Sequence, residues 1–182
     1  MESTLAISPA ESMEVKFRNL VQEHGDRIYN LALMRSNRRH LAEDITQETF
    51  IRVYKALGSF RGESEIGTWI FRIAINVCNS TLTREGRYPV SESEFADSHE
   101  LTGLESTGSA EQEFMSVSRN EIIRKSIQRL PENQAQAITL YYLNEYQYTE
   151  VAEIMQIPLN TVKSHIRRAK ESLRSILKEV AL

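Results

Sequence analysis

Apolar positions recur along this chain at steps of three and four, and nowhere over a useful length do they alternate. That period belongs to one face of an α-helix. Over the N-terminal half it predicts three helices. The first runs from Met13 to Met34, with Phe17, Leu20, Val21, Ile28, Leu31 and Ala32 turned inward. The second runs from Leu41 to Leu57, with Ile45, Val53, Tyr54 and Leu57 inward and Gly58 as its stop. After a loop holding Phe60, Arg61 and Gly62, the third runs from Ile66 to Arg84, with Trp69, Ile70, Ile73, Ala74 and Val77 on one side. Four more helices are expected further on: Glu111–Leu130 closed by Pro131, Asn133–Leu143, Thr149–Met155 and Asn160–Val180.

Between the two halves the pattern lapses. Residues 88–113 are rich in Ser, Glu, Gly and Thr and hold few large apolar side chains. A stretch of that composition buries too little surface to offset the entropy of ordering it, so a flexible linker is expected there. The chain thus divides into 1–87, the linker 88–113, and 114–182. Seven Gly, four Pro and a 41% hydrophobic content suit two small all-α domains.

Charge follows the same division. Residues 1–87 carry twelve Lys and Arg and eleven acids, net +1; residues 88–113 carry seven acids and no base, net −7; residues 114–182 carry ten bases and seven acids, net +3. The net charge of −3 for the whole chain hides two basic blocks flanking an acidic segment, so it does not argue against a nucleic-acid partner. No apolar run approaches the ~18 residues of a membrane span, and the first residues are too polar for a secretory signal. Membrane insertion is not expected, and a cytoplasmic protein is. The lone Cys78 allows no intrachain disulfide and lies among apolar residues, where an inert thiol is expected. His24, His40, His99 and His165 stand apart without metal-ligand or triad spacing. No catalytic constellation, metal or cofactor is expected.

The last two helices read as a helix-turn-helix, with Ala152 small enough for close packing and Asn160 as N-cap. Val162, Ile166, Ala169, Leu173 and Ile176 form a buried stripe, which leaves Thr161, Lys163, Ser164, Arg167, Arg168 and Lys170 outside. From Asn160 to Lys178 six basic residues face the single acid Glu171. The first turns of such a helix reach base edges in the major groove, and later cations hold phosphates. On the third helix Arg72, Asn76, Ser80 and Thr83 form a polar face set opposite the Trp69/Ile73/Val77 stripe, followed by Arg84 and Arg87. Such side chains can read or stack on unpaired bases, although an ordinary solvated face has the same composition. Glu43, Asp44, Gln47 and Glu48 give the second helix an acidic surface, either dipole-favoured acids or a docking face.

Three motifs resemble those of the extracytoplasmic-function group of bacterial sigma factors, in that family's order. Ala42-Glu43-Asp44-Ile45-Thr46-Gln47-Glu48-Thr49-Phe50-Ile51-Arg52-Val53-Tyr54 resembles the polymerase-docking helix. Phe60-Arg61-Gly62-Glu63 with Thr68-Trp69-Ile70-Phe71-Arg72-Ile73-Ala74-Ile75-Asn76 resembles the −10 loop and helix of region 2. Leu130-Pro131-Glu132, Tyr148–Met155 and Thr161–Ala169 resemble the −35-binding region 4.

The resemblance implies a factor that directs promoter-specific initiation by core RNA polymerase. It implies that Asp44, Gln47 and Glu48 face the clamp coiled coil of the largest catalytic subunit, with the polymerase flap as a further contact. It implies that Arg61 and Asn76 capture a flipped −10 base, that Arg72, Ser80, Arg84 and Arg87 line the strand, and that Thr161, Lys163, Ser164, Arg167, Arg168 and Lys170 read the −35 element. It also implies an acidic linker threading toward the RNA path and an anti-sigma partner linked to the membrane. The chain departs from the family at Ser80, where an acid or amide is common, and in the sparse basic run Thr81-Leu82-Thr83-Arg84-Glu85-Gly86-Arg87. Two other readings remain open: a sigma-mimicking adaptor that sequesters an anti-sigma protein, and a conventional operator-binding regulator.

Overall fold

The computed structural model describes residues 9–85 and 121–180, and every structured element among them is helical. The linker expected at 88–113, Arg87 and the first part of the helix expected from Glu111 lie outside the described residues. The N-terminal half is α1 (Pro9–Ser36), α2 (Arg39–Leu57) and α3 (Ile66–Arg84). The C-terminal half is α4, described over 121–128, then α5 (Glu132–Tyr142), α6 (Tyr148–Met155) and α7 (Leu159–Val180).

α1 turns into α2 through Asn37 and Arg38. Asn37 takes a left-handed conformation (φ 52°), which short amide side chains tolerate best after glycine. Its N–H donates to the Leu33 carbonyl at 2.9 Å, and the Ser36 hydroxyl donates to the Arg38 carbonyl at 3.1 Å. The two helices therefore lie side by side, and α3 packs across both. Their core holds Ile28, Leu31, Ile45, Val53, Ile70, Phe71 and Val77, each 1% exposed or less. Cys78 is fully buried within it, and burial pushes its thiol pKa up, which keeps it unreactive.

In the C-terminal half, α5 packs on α7, and α6 bridges them. Leu140, Val151, Ile154, Val162 and Ile166 are buried to 1% exposure or less. The two halves do not stand apart. α3 packs along α6 and α1 against α5, so that Ile70, Phe71 and Ala74 share one apolar core with Leu140, Tyr146, Val151 and Ile154.

Gly58 stops α2 as expected, in a right-handed conformation (φ −66°) that does not use its freedom to go left-handed. Three expectations are corrected. Val21 (36% exposed) and Tyr54 (49%) face outward, because α1 and α2 bury narrower stripes than apolar content alone suggests. Asn160 does not cap α7. The helix starts at Leu159, and the Pro158 carbonyl accepts from the N–H groups of Thr161 and Val162. On α3 the deeply buried side is Ile70, Phe71, Ala74, Ile75, Val77, Cys78 and Leu82, whereas Trp69 and Ile73 are half-buried. At steps of four, three and four, Trp69, Ile73, Asn76 and Ser80 form one ridge. The aromatic lies on the polar face rather than behind it.

His24 is 3% exposed, and neither ring nitrogen has a hydrogen bond among the described residues. Burial lowers its pKa, the nearby Arg27 lowers it further, and Glu23, 3.8 Å away, only partly opposes them.

Two stability measurements check this packing. Phe71→Ala should lower unfolding free energy by about 3–5 kcal/mol in urea titration, while the half-exposed Val15→Ala should stay within about 0.5 kcal/mol. The folded state prefers neutral His24, so its contribution is intact above the unfolded pKa of about 6.5 and is lost as pH falls below it. In urea titrations between pH 8 and 5, His24→Gln should therefore lose less stability on acidification than the unaltered chain; an equal or larger loss would contradict this.

Candidate nucleic-acid and polymerase interfaces

The turn between α6 and α7 fixes how α7 presents itself. α6 begins with its Glu150 carboxylate accepting the Gln147 N–H at 2.7 Å, which satisfies a helix-start amide. It ends with Gln156 in a left-handed conformation (φ 55°), and the Ile157 N–H bonds back to the Ala152 carbonyl at 3.1 Å. This end closure turns the chain sharply, and Pro158 immediately precedes the next helix, its carbonyl accepting the first helical N–H bonds. Half-buried Ala152 sits in the packing of the pair.

Along α7, Val162, Ile166 and Ala169 are buried to 1% or less, and Ile176 is 9% exposed. The expected stripe is therefore buried except at Leu173, which is half-buried. On the other side Lys163, Ser164, Arg167, Arg168 and Lys170 are exposed and Thr161 is half-buried. The Ser164 hydroxyl donates to the Asn160 carbonyl at 3.0 Å, leaving its oxygen as an acceptor toward solvent. Arg167 lies 3.4 Å from Glu171 in an exposed pair one helical turn apart. Such a pair is worth a few tenths of a kcal/mol, so the guanidinium is readily drawn to a phosphate or base edge. Lys163 also borders a pocket of about 370 Å³ formed with Tyr141, Tyr148 and Thr149, where the starts of α6 and α7 converge.

A second face lies on α3 and the loop before it. Asn76, Ser80 and Arg84 are exposed, and Arg72 is half-buried, its buried Nε without a hydrogen bond among the described residues. Phe60 meets Trp69 with ring centroids 5.0 Å apart, which pins the loop to the start of α3. Gly62 needs its φ of 72° for the turn that leaves Arg61 exposed beside that aromatic pair. The structure thus brings Arg61, Arg72, Asn76, Ser80 and Arg84 onto one helix face and its adjoining loop. It adds Trp69 and Phe60, whose half-buried rings suit stacking on an unpaired base. Sequence reasoning missed their place because it set Trp69 in the buried stripe; tracing the ridge through Asn76 and Ser80 finds it.

A third surface runs along α2. Asp44 and Gln47 are exposed and Glu48 is half-buried, 2.7 Å from Arg52. Ile51 (48% exposed) and Tyr54 (49%) continue this ridge, and Tyr54 rests edge-on against Phe17 at 5.0 Å. A carboxylate–amide surface ending in exposed apolar side chains is a protein-docking face in composition. A fourth feature is an apolar groove of about 620 Å³ between α4, α5 and α7. Ile123, Tyr142, Leu143 and Leu177 line it and are each more than a third exposed, and Lys170, Arg174 and Lys178 also border it. Among the described residues no group of three or more His, Cys, Asp or Glu could hold a metal ion. No described helix is long and apolar enough to cross a membrane.

Both halves of the chain match known protein families. Residues 20–88 match Sigma-70 region 2, and residues 120–173 match Sigma-70, region 4. The ECF RNA polymerase sigma-E factor of Haemophilus influenzae is 37% identical over 163 residues, covering 87% of this chain and 86% of its own. That of Escherichia coli K12 is 40% identical over 136 residues, covering 71% and 70%. Among solved structures, CnrH in complex with the cytosolic domain of CnrY matches with a TM-score of 0.68 at 20% identity, over 91% of this chain and 90% of that one. The sigma factor RpoE of Bartonella quintana, in complex with the anti-sigma factor NepR, matches with a TM-score of 0.68 at 21% identity, over 90% and 97%. The chain belongs to the extracytoplasmic-function group of RNA polymerase sigma factors, through which polymerase is directed to promoters.

Proposed function

We propose that the exposed faces of α3 and α7 read the two halves of one promoter, while α2 holds the protein on polymerase. The observation that carries this reading is their arrangement: two separate basic faces on different helices, with an acidic and apolar ridge on a third. Residues 1–87 act as the region 2 domain, 114–182 as the region 4 domain, and 88–113 as the acidic connection.

In this reading Asp44, Gln47 and Glu48, extended by Ile51 and Tyr54, dock on the clamp coiled coil of the largest catalytic subunit. Arg61 and Asn76 hold a base flipped from the melted −10 element, and the Trp69 ring supports it by stacking. Arg72, Ser80, Arg84 and Arg87 line the adjoining strand. A serine at position 80 supplies one hydroxyl where relatives of the family supply an acid or amide. That hydroxyl already donates to the Val77 carbonyl at 2.9 Å, so it meets the strand as an acceptor. On the −35 duplex, Thr161, Lys163, Ser164 and Arg168 face base edges, and Arg167 and Lys170 add phosphate contacts. The apolar groove with its basic border suits an amphipathic helix carrying acids, which is the role of the polymerase flap here.

The protein works in the cytoplasm, and an anti-sigma partner linked to the membrane holds it there until released. Support for the partner comes from the Bartonella RpoE, solved with the anti-sigma factor NepR, and from CnrH, solved with the cytosolic domain of CnrY. The function needs no chemistry from the chain itself, because polymerase performs the synthesis.

Run-off transcription with bacterial core polymerase on a library of promoter fragments tests the reading. Adding the protein should produce new starts downstream of a shared two-part motif. Arg168→Ala should reduce them by about 5- to 150-fold through the −35 half, the 1–3 kcal/mol of a base-reading contact. Asn76→Ala should weaken the −10 half instead. Tight binding to core or an anti-sigma protein with no new starts would contradict the reading and favour a mimic, and sequence-specific duplex binding without core would favour an ordinary repressor.

A further inference from the structure

We infer that Asn160 is a base-reading residue of α7 and that it selects adenine at one position of the −35 element. The inference rests on the −35 reading of α7 above and adds a residue that reading does not use.

The case begins with the role the structure takes away from Asn160. As an N-cap its side chain would accept from the N–H of Val162 or Lys163. Instead α7 already begins at Leu159, and the Val162 N–H donates to the Pro158 carbonyl at 3.1 Å. The Asn160 side chain is exposed and makes no hydrogen bond among the described residues. Asparagine is among the weaker helix formers, so the helix itself does not account for it.

Its place on α7 is the one that meets a duplex. Val162 and Ile166 are buried. Asn160 stands two residues before Val162 and Ser164 two residues after, which at 3.6 residues per turn sets both nearly opposite the buried stripe. Asn160, Ser164 and Arg167, at steps of four and three, form the middle ridge of the exposed side, and all three are exposed. The first turns of a recognition helix are the part that reaches base edges in the major groove.

The chemistry of that turn then selects a base. The exposed side chains of the first two turns are Asn160, Lys163 and Ser164. A lysine only donates, and the Ser164 hydroxyl already donates to the Asn160 carbonyl at 3.0 Å. The Asn160 carboxamide alone brings a free donor and a free acceptor together. Adenine is the base whose major-groove edge sets an acceptor, N7, beside a donor, the N6 amino group. Guanine offers two acceptors, cytosine a donor, and thymine an acceptor with a methyl group. Arg168, eight residues on, suits guanine instead. The two Cα atoms are about 12 Å apart along the helix axis, several base-pair steps of ~3.4 Å, so they serve different positions.

Run-off transcription by the full chain with core polymerase, on promoters carrying each base in turn at each −35 position, tests the assignment. Adenine should be favoured at one position by about 5- to 150-fold. Asn160→Ala should flatten that position and leave the preference that depends on Arg168 as it was. Asn160→Asp separates reading from a part in starting the helix. Aspartate caps a helix as well as asparagine and suits its positive end, but it cannot donate. It should exchange the adenine preference for one toward cytosine, whose N4 amino group donates. Base preferences unchanged in Asn160→Ala, or an adenine preference surviving in Asn160→Asp, would overturn the inference while Arg168→Ala still altered its own position. Absence of new starts from every promoter is a different result: it would sink the −35 reading and this inference with it.

Discussion

The burial of one side of α3 is the constraint on which the rest of this protein depends. Ile70, Phe71, Ala74 and Cys78 are each fully buried, and they face α1, α2 and α6 together. Once that side is committed to the core, the opposite ridge through Trp69, Asn76 and Ser80 has nowhere to go but outward. The character of the exposed face of α3 is thus set by what its other side buries. α7 repeats the logic: Val162, Ile166 and Ala169 anchor it, and the cations are left toward solvent. Apolar burial holds the molecule and leaves the charges for its partners. The exposed ion pairs, such as Glu48–Arg52 and Arg167–Glu171, contribute little to stability and yield readily.

The helical fold and the exposed basic face of α7 were legible in the sequence, for a physical reason. Each rests on a single helix whose apolar stripe repeats strictly, so period alone separates inside from outside. Exposure of Lys163, Arg167 and Arg168 followed directly from burial of Val162 and Ile166. α3 was harder, since it is apolar around most of its circumference. Trp69 and Ile73 were grouped with Val77 because all three are apolar. The distinction between a fully buried Ile70 and a half-buried Trp69 depends on where α1, α2 and α6 touch it. Tyr54 and Val21 misled for the converse reason: apolar side chains on amphipathic helices can serve as docking surface rather than core.

The seam between the halves was not legible. Nothing in local spacing pairs Arg27 with Tyr146, or Arg35 with Glu132, across about a hundred residues of chain. Such contacts come from tertiary geometry, and a Gly such as Gly67 reveals its purpose only when Tyr146 is seen above it. The exposed faces of α3 and α7 are preformed on their helices, and preformed faces keep the ordering cost of binding low.

Independent reading of the two promoter halves by α3 and α7 is tested by a cycle that combines Arg168→Ala or Asn76→Ala with a scrambled −35 or −10 element, read by run-off transcription. Arg168→Ala should cause no further loss on a scrambled −35 element and its full loss on a scrambled −10 element, with the reverse for Asn76→Ala. Full additivity in all four combinations, or coupling of Arg168 to the −10 half, would contradict it.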